Sequence, residues 1–292
     1  MTVIRLASIG FVITAFALLF CSCKDQLPKE SVVNHREYVQ ANYASKQLNR
    51  DVAYNIYYPL GHEISDSFPI IYLLHGHGGD RDDWFQKDEG NIQGILDSLI
   101  SKRKIPPVIA VSLSAGNSWY VDGEEKMETF FLSEFVPFMT TRYQLKPSAM
   151  RIIAGNSAGG YGALRFSLQQ PELFDEVILL SPASYEPLPP AISSSRKVAA
   201  FASEGVFNDS IWNSYSYKHL MPAFIDQSER PKFYLSVGDD DAYNIVPVVT
   251  ELQQLFLNNN IKNELRITDG GHDWQCWRTN FSNSLVSIFE NK

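Results

Sequence analysis

Two kinds of hydrophobic pattern follow one another along the chain. Residues 37–43 and 51–58 alternate polar and apolar side chains, the period of half-buried antiparallel strands. Further on, the apolar residues come in short unbroken runs that each end in Gly, Ser or Asp, as strands buried on both faces do. The five runs predict a parallel sheet, and they cover 69–76, 106–114, 150–155, 176–182 and 232–240.

Amphipathic segments lie between these runs. Their apolar residues recur near helical spacing, which predicts helices over 91–102, 129–143, 157–170, 245–258 and 274–289. Because strands and helices alternate, we predict an α/β fold with a mostly parallel, doubly wound sheet, helices on both faces and antiparallel N-terminal strands. Residues 185–231 are rich in aromatic side chains without strand periodicity, so we expect an insertion over one sheet edge that serves as a partial lid.

The N-terminus has the pattern of an export signal. Arg5 precedes an apolar stretch over 6–20, and small residues then lead to Cys23. We predict a signal peptide of the lipoprotein type over 1–23, with Cys23 carrying the lipid, and export to the periplasm or surface of a Gram-negative bacterium. A membrane anchor is the rival, but the apolar stretch is shorter than the roughly 20 residues that span a bilayer.

Cleavage without lipidation is a further alternative, because Phe20 and Cys21 depart from the usual lipoprotein pattern. Residues 24–34 would form a short tether. Residues 35–292 are predicted to be one domain, since no repeat or long linker divides them. The membrane is therefore expected as a partner only through the lipid at Cys23, and the pattern gives no prediction of an oligomeric state.

Charge and cysteine content narrow the function classes. The formal net charge of −8 becomes −9 when Arg5 leaves with the signal peptide, and no basic run exists. This acidity disfavours nucleic acid and anionic membrane surfaces as partners.

Cys276 is the one cysteine beyond the signal peptide, so no intrachain disulfide is expected. Helix packing is the expected role of this thiol, because no neighbouring charge is evident to lower its pKa.

The clearest candidate for chemistry is Ser157. Gly155 to Gly159 read G-x-S-x-G, with a predicted strand before the serine and a predicted helix after it, which is the structural context that this motif requires. The serine would sit in a strained turn where strand and helix nearly touch, so the positions two before and two after it must be small. A serine hydroxyl is a weak nucleophile and needs a histidine as its base.

Chain order selects that histidine. In this architecture the base follows the nucleophile, which leaves His219 and His272. His219 lies within the insertion, where capping or packing is the simpler role. We predict His272, because it lies on a glycine-containing loop between a short apolar strand and the last helix.

The orienting carboxylate is expected at a strand end between serine and histidine. Asp239, Asp240 and Asp241 all follow Gly238, and residue chemistry alone does not choose among them. A metal site is disfavoured there, because the cluster lacks the ligand spacing of a calcium loop. An oxyanion hole would come from the glycine-rich loop over 73–79 and from the amide of Ala158.

Together these segments resemble the putative-esterase (esterase D-like) branch of the α/β-hydrolase superfamily, which includes tributyrin, feruloyl and acetyl-xylan esterases. The likeness rests on LLHGHGGDRDDW, NSWYVDG, AGNSAGGYGALRF, VGDDD and GGHDWQCW, and it spans about 35–290. The resemblance implies Asp241 as the acid and the backbone N–H of His77 as the first oxyanion donor. It also implies an α/β-hydrolase fold and no metal or organic cofactor.

The resemblance further implies acyl transfer through an acyl-enzyme. The expected substrates are short-chain acyl or feruloyl esters of carbohydrate, either as small molecules or as oligosaccharides. Trp119, Tyr120 and Trp274 are candidate surfaces for substrate, although core packing is an equal interpretation for each. The alternatives are acyl transfer to a sugar acceptor and a non-catalytic, glycan-binding surface lipoprotein.

Overall fold

A twisted sheet of eight strands forms the centre of the computed structural model, which describes residues 38–290. The predicted signal peptide, its lipidated Cys23 and the tether lie outside the described residues. The spatial order of the strands across the large sheet is β1-β2-β4-β3-β5-β6-β9-β10. Their bounds are β1 Val39–Ser45, β2 Arg50–Tyr57, β3 Ile70–Leu74, β4 Ile109–Leu113, β5 Arg151–Asn156, β6 Glu176–Leu180, β9 Lys232–Gly238 and β10 Asn263–Thr268.

The direction of the strands follows the hydrophobic pattern. The strand β1 alternates half-buried and exposed positions over most of its length, and it pairs antiparallel with β2, which in turn pairs antiparallel with β4. The remaining pairs are parallel, and the strands β3, β4 and β6 are buried along their whole length. Such strands cannot expose either face, so their sequences read as continuous apolar runs.

Helices cover both faces of the sheet, as predicted. Two of them, α1 (Ile92–Ser101) and α8 (Trp274–Glu290), pack on one core together with Ile71 and Leu73 of β3. The opposite core contains Ile70, Tyr72 and Leu74 of the same strand. The helices that pack on this core are α2 Met127–Phe130, α3 Val136–Arg142, α4 Ala158–Gln169 and α7 Ile245–Asn258. A π-helical segment, Phe131–Phe135, joins α2 to α3 where one helix was predicted.

The predicted insertion consists of short elements between two strands of the sheet. Residues 185–231 leave the sheet between β6 and β9, which are neighbours inside the sheet, and they pack on α4 instead of covering a sheet edge. They form short elements, namely 3₁₀ turns at Ser194–Lys197, Ala199–Phe201 and Tyr217–His219, the hairpin β7 Ala202–Ser203 with β8 Val206–Phe207, and the helices α5 Asp209–Ser214 and α6 Met221–Ile225.

Aromatic contacts and hydrogen bonds hold this insertion on α4. The Trp212 ring stacks on Tyr161, with ring centroids 5.7 Å apart. The carbonyl oxygen of Tyr215 accepts hydrogen bonds from the Tyr161 hydroxyl at 3.0 Å and from the Arg165 guanidinium. Arg165 also forms a buried ion pair with Glu128 at 2.9 Å. The aromatic residues therefore attach the insertion to the helix that follows Ser157.

No helix between residues 38 and 290 has the length and apolarity to cross a membrane.

Candidate active site

The site lies where the strand order of the sheet reverses. The chain passes from β3 outward to β4 and then returns across β3 to β5, so the loops after β3 and β5 diverge at the carboxyl ends of the strands. Open α/β sheets bind ligands in the crevice that such a divergence leaves. The loop after β3 carries Gly76 and His77, and the turn after β5 carries Ser157.

Ser157 occupies a strained turn between β5 and α4. Its backbone has φ 55° and ψ −117°, a conformation that residues other than glycine rarely adopt. A Cβ at Gly155 would lie less than 3.0 Å from the carbonyl oxygen of Gly159, and a Cβ at Gly159 would lie equally close to that of Leu74. The two glycines therefore meet the steric need that the motif predicts, and the turn presents the serine above the sheet.

Three predicted side chains are aligned at this point. The Ser157 Oγ lies 2.9 Å from Nε2 of His272, and Nδ1 of His272 lies 2.7 Å from an oxygen of Asp241. The Asp241 side chain is 0% exposed, and its second oxygen accepts the backbone N–H of Tyr243 at 2.9 Å. An ionised carboxylate only accepts, so Nδ1 of His272 carries the proton and the lone pair on Nε2 faces the serine hydroxyl.

The loops that carry the acid and the histidine are bound to each other. The Asp239 amide donates to Thr268, and the Asp240 amide donates to Gly270 at 3.0 Å. The Asp239 carboxylate accepts the Gly270 N–H at 3.1 Å. Asp239 thus supports the turn while Asp241 points at His272, and this geometry distinguishes acids that the residue types alone left equivalent. His219 lies exposed in the 3₁₀ turn Tyr217–His219 of the insertion.

Two backbone amides are available beside the serine. Ala158 begins α4, so its N–H points out of the helix end without an intrahelical partner. Within residues 38–290 neither this amide nor that of His77 donates a hydrogen bond to protein. A Cβ at Gly76 would lie 3.6 Å from that of Ser157, which brings the loop after β3 against the serine. The two amides can therefore serve a developing oxyanion.

His75 anchors this loop and has no remaining ring nitrogen for a metal. Its Nδ1 bonds the carbonyl of Gly76 at 2.7 Å, and its Nε2 accepts the amide of Ala115 at 3.0 Å. Burial lowers the pKa of His75, which agrees with a neutral ring that accepts at Nε2. Among the described residues no group of three or more His, Cys, Asp or Glu side chains is arranged to hold a metal ion.

A cavity of about 210 Å³ opens above Ser157. Trp274 and Trp119 are among the residues that line it, and the Trp119 side chain is otherwise packed in the core. Tyr120 does not line it, because its ring is 1% exposed, packs against Gly162 and donates to the carbonyl of His75 at 3.0 Å. The prediction of Tyr120 as a substrate surface is therefore wrong. Adjacent residues in an irregular loop point in different directions, and no periodicity reveals which one faces the site.

Asp83, Tyr185 and Tyr243 also line the cavity, and the sequence did not single them out. Asp83 lies in the loop after β3, and burial raises the pKa of its carboxyl group. Tyr243 lies over His272, with ring centroids 4.6 Å apart, and the Tyr185 hydroxyl holds the Tyr243 carbonyl at 3.0 Å. Tyr185 follows the carboxyl end of β6, and Tyr243 lies two residues after the predicted acid. These two positions, one at a strand end and one beside the predicted acid, could have identified Tyr185 and Tyr243 as candidate site residues from the sequence.

Cys276 packs within the first turns of α8, as predicted for a structural thiol. Its side chain is buried and lies near the hydroxyl of Thr268 and the amide of Asn280. Burial raises the pKa of this thiol. The thiol is therefore protonated at neutral pH and a poor nucleophile.

Comparisons with known proteins match the chain to a family and to individual relatives. The sequence model of the family described as "Putative esterase" matches residues 45–288. An acetyl esterase of Caldicellulosiruptor saccharolyticus is 27% identical over 276 residues, which cover 85% of this chain and 96% of that protein. An endo-1,4-beta-xylanase/feruloyl esterase of Xylanibacter ruminicola is also 27% identical, over 53% of this chain and 23% of that protein.

A solved structure of a ferulic acid esterase has the same architecture. It aligns with a TM-score of 0.70 at 23% identity, over 87% of this chain and 97% of that one. At this identity the likeness supports the fold, which is that of an α/β-hydrolase.

Proposed function

The chain belongs to the putative esterase family and is a carboxylic ester hydrolase, and we propose that Ser157, His272 and Asp241 are its catalytic triad. What supports this assignment most is the continuous path of two hydrogen bonds, 2.9 and 2.7 Å long, from the serine hydroxyl through the imidazole to a buried carboxylate. Such a path activates a serine hydroxyl that would otherwise be a weak nucleophile.

The proposed reaction has two steps. His272 removes the Ser157 proton as the oxygen attacks the ester carbonyl, and the imidazolium then protonates the departing alcohol. Asp241 keeps the imidazole in the productive tautomer and stabilises its positive charge. The amides of His77 and Ala158 donate to the carbonyl oxygen as it becomes negative, and one such donor is worth about 3 kcal/mol. Water activated by the same histidine then releases the acid.

The acyl group is expected to be short. The cavity above Ser157, at about 210 Å³, is smaller than the roughly 300–1,000 Å³ of typical ligand pockets. Its wall includes the rings of Trp274, Trp277 and Tyr185. We infer that it accepts an acetyl group or one flat aromatic acid such as ferulate, and that it excludes long fatty acyl chains.

The alcohol is proposed to be a carbohydrate. The two curated relatives above are described as an acetyl esterase and as a xylanase/feruloyl esterase. Together with the predicted export signal, these names favour acyl groups on an extracellular polysaccharide as the substrate. We also propose that a lipid on Cys23 anchors the enzyme to the membrane.

A substrate panel tests both parts of the proposal. Purified enzyme would be assayed on p-nitrophenyl acetate, p-nitrophenyl octanoate, methyl ferulate and acetylated xylo-oligosaccharides. Acetate or ferulate should exceed octanoate in kcat/KM, and Ser157→Ala should lower kcat on each by at least about 10³-fold. Ser133→Ala, on an exposed serine, is the matched control. Equal rates for wild type and Ser157→Ala would refute the triad, and a preference for octanoate would refute the acyl assignment.

A further inference from the structure

A second cavity, of about 430 Å³, opens beside the cavity above Ser157, and His77 lines both. Two segments of the chain continue from one cavity to the other. Trp119 lines the first and residues 115–118 line the second, while residues 193–194 of the insertion line the first and 197–200 line the second. The two cavities are therefore adjoining parts of one cleft.

His77 presents a fixed hydrogen-bond donor at the junction. The Trp119 indole N–H donates to Nδ1 of His77 at 3.1 Å, and an indole nitrogen can only donate, so Nδ1 is unprotonated and Nε2 carries the hydrogen. Partial burial and the charge of Lys197 lower the pKa of His77, so the ring is neutral at pH 7. No protein group among residues 38–290 accepts from Nε2.

The charged side chains that line the second cavity balance one another. Arg50 and Lys197 line it along with Glu124 and Glu125, which makes two charges of each sign. Arg50 and Glu125 pair with each other, at 2.6 Å and 2.5 Å. Lys197 is exposed and has no acidic partner within the described part of the chain. An apolar acyl chain in this cavity would leave these charged groups without hydrogen-bond partners, whereas a polar ligand would supply them.

The remaining polar groups suit a neutral sugar. Lys197 and His77 offer donors and Glu124 offers acceptors, and a sugar hydroxyl can both donate and accept. An anionic ligand would face the two glutamates, and a cationic ligand would face Arg50 and Lys197. The smaller, aromatic-lined cavity is left for the acyl group.

We propose that the cavity between the 115–118 loop and the 197–200 segment binds the sugar on the alcohol side of the ester, with Lys197 and the His77 side chain donating to its hydroxyl groups. The proposal rests on the function proposed above and adds a specificity site to it. Neither residue reacts with the ester through its side chain. Their effect should appear as selectivity between esters that share an acyl group and differ in the alcohol.

Acetylated xylotriose and p-nitrophenyl acetate form such a pair. In Lys197→Met the ratio of kcat/KM on the oligosaccharide to kcat/KM on p-nitrophenyl acetate should fall about tenfold, the effect of losing one charge-assisted hydrogen bond. His77→Gln, which keeps the backbone amide and a side-chain donor, should lower the ratio less than His77→Ala. Lys102→Met, on an exposed lysine at the end of α1, is the matched control.

Two results would overturn the proposal. One is a ratio in Lys197→Met that stays within twofold of wild type. The other is a wild type that cleaves p-nitrophenyl acetate but not acetylated xylotriose. Both differ from a failure of the proposed triad, in which hydrolysis of p-nitrophenyl acetate would itself not depend on Ser157.

Discussion

Replacing Asp241 by asparagine tests how the acid acts. One carboxylate oxygen accepts from His272 at 2.7 Å and the other accepts the Tyr243 N–H at 2.9 Å. An asparagine has a single oxygen, so it cannot satisfy both donors. If that oxygen remains on the Tyr243 amide, the side-chain NH₂ faces Nδ1 of His272 and moves the ring proton to Nε2. The histidine would then donate to Ser157 when it has to accept.

This change should lower kcat by about 10³–10⁴-fold, the effect of fixing the wrong histidine tautomer in a serine triad. At about 1.4 kcal/mol per factor of ten, the loss corresponds to roughly 4–6 kcal/mol of transition-state stabilisation. Asp240→Asn makes the same chemical change one residue away, on an exposed side chain, and should keep kcat within about twofold. Initial rates on p-nitrophenyl acetate measure both variants, with circular dichroism to show that each is folded.

The reasoning would be refuted if Asp241→Asn kept more than about a tenth of the wild-type kcat, or if Asp240→Asn lost as much activity as Asp241→Asn. The second result would move the acid within the 239–241 cluster. The first would mean that this carboxylate has no orienting role.

Further predictions concern stability. Gly159→Ala should lower the free energy of unfolding by about 3 kcal/mol in urea titrations, because its methyl group would meet the carbonyl oxygen of Leu74. Arg165→Met should lower the free energy of unfolding by about 3–5 kcal/mol, since it leaves Glu128 buried without its partner. Adding Glu128→Gln should recover part of this loss, and no recovery would contradict the ion-pair account. Burial lowers the pKa of His75 in the folded chain. Below about pH 6.5 the unfolded chain therefore binds a proton at this histidine that the folded chain does not bind. The free energy of unfolding should fall as the pH drops through that value. His75→Gln should show a weaker pH slope, and an equal slope would contradict this explanation.

The sheet could be predicted from the sequence because strands buried on both faces appear in it as continuous apolar runs. A parallel strand covered by helices has to be apolar along its length, as in Ile70–Leu74. The position of Ser157 was predictable for a related reason. Only glycine fits at 155 and 159, where the strand and the helix nearly touch.

The sequence could not settle features that depend on the direction of a side chain in an irregular loop. Trp119 and Tyr120 are neighbours, both have a positive φ and both are buried in the core, yet only Trp119 reaches the cavity above Ser157. Asp239 and Asp241 were likewise equivalent on residue type. The hydrogen bond from Gly270 to Asp239 and the one from His272 to Asp241 separate them. The place of the insertion depended on long-range contacts such as that of Trp212 with Tyr161.

The most direct test of the central claim is covalent labelling of the nucleophile. Intact-mass spectrometry after treatment with diethyl p-nitrophenyl phosphate, followed by peptide mapping, reports which oxygen the histidine activates. We predict one diethylphosphoryl group per chain, on Ser157, with labelling slowed severely in His272→Ala and absent in Ser157→Ala. A label on another residue, or equal labelling of wild type and His272→Ala, would contradict the claim that His272 activates Ser157.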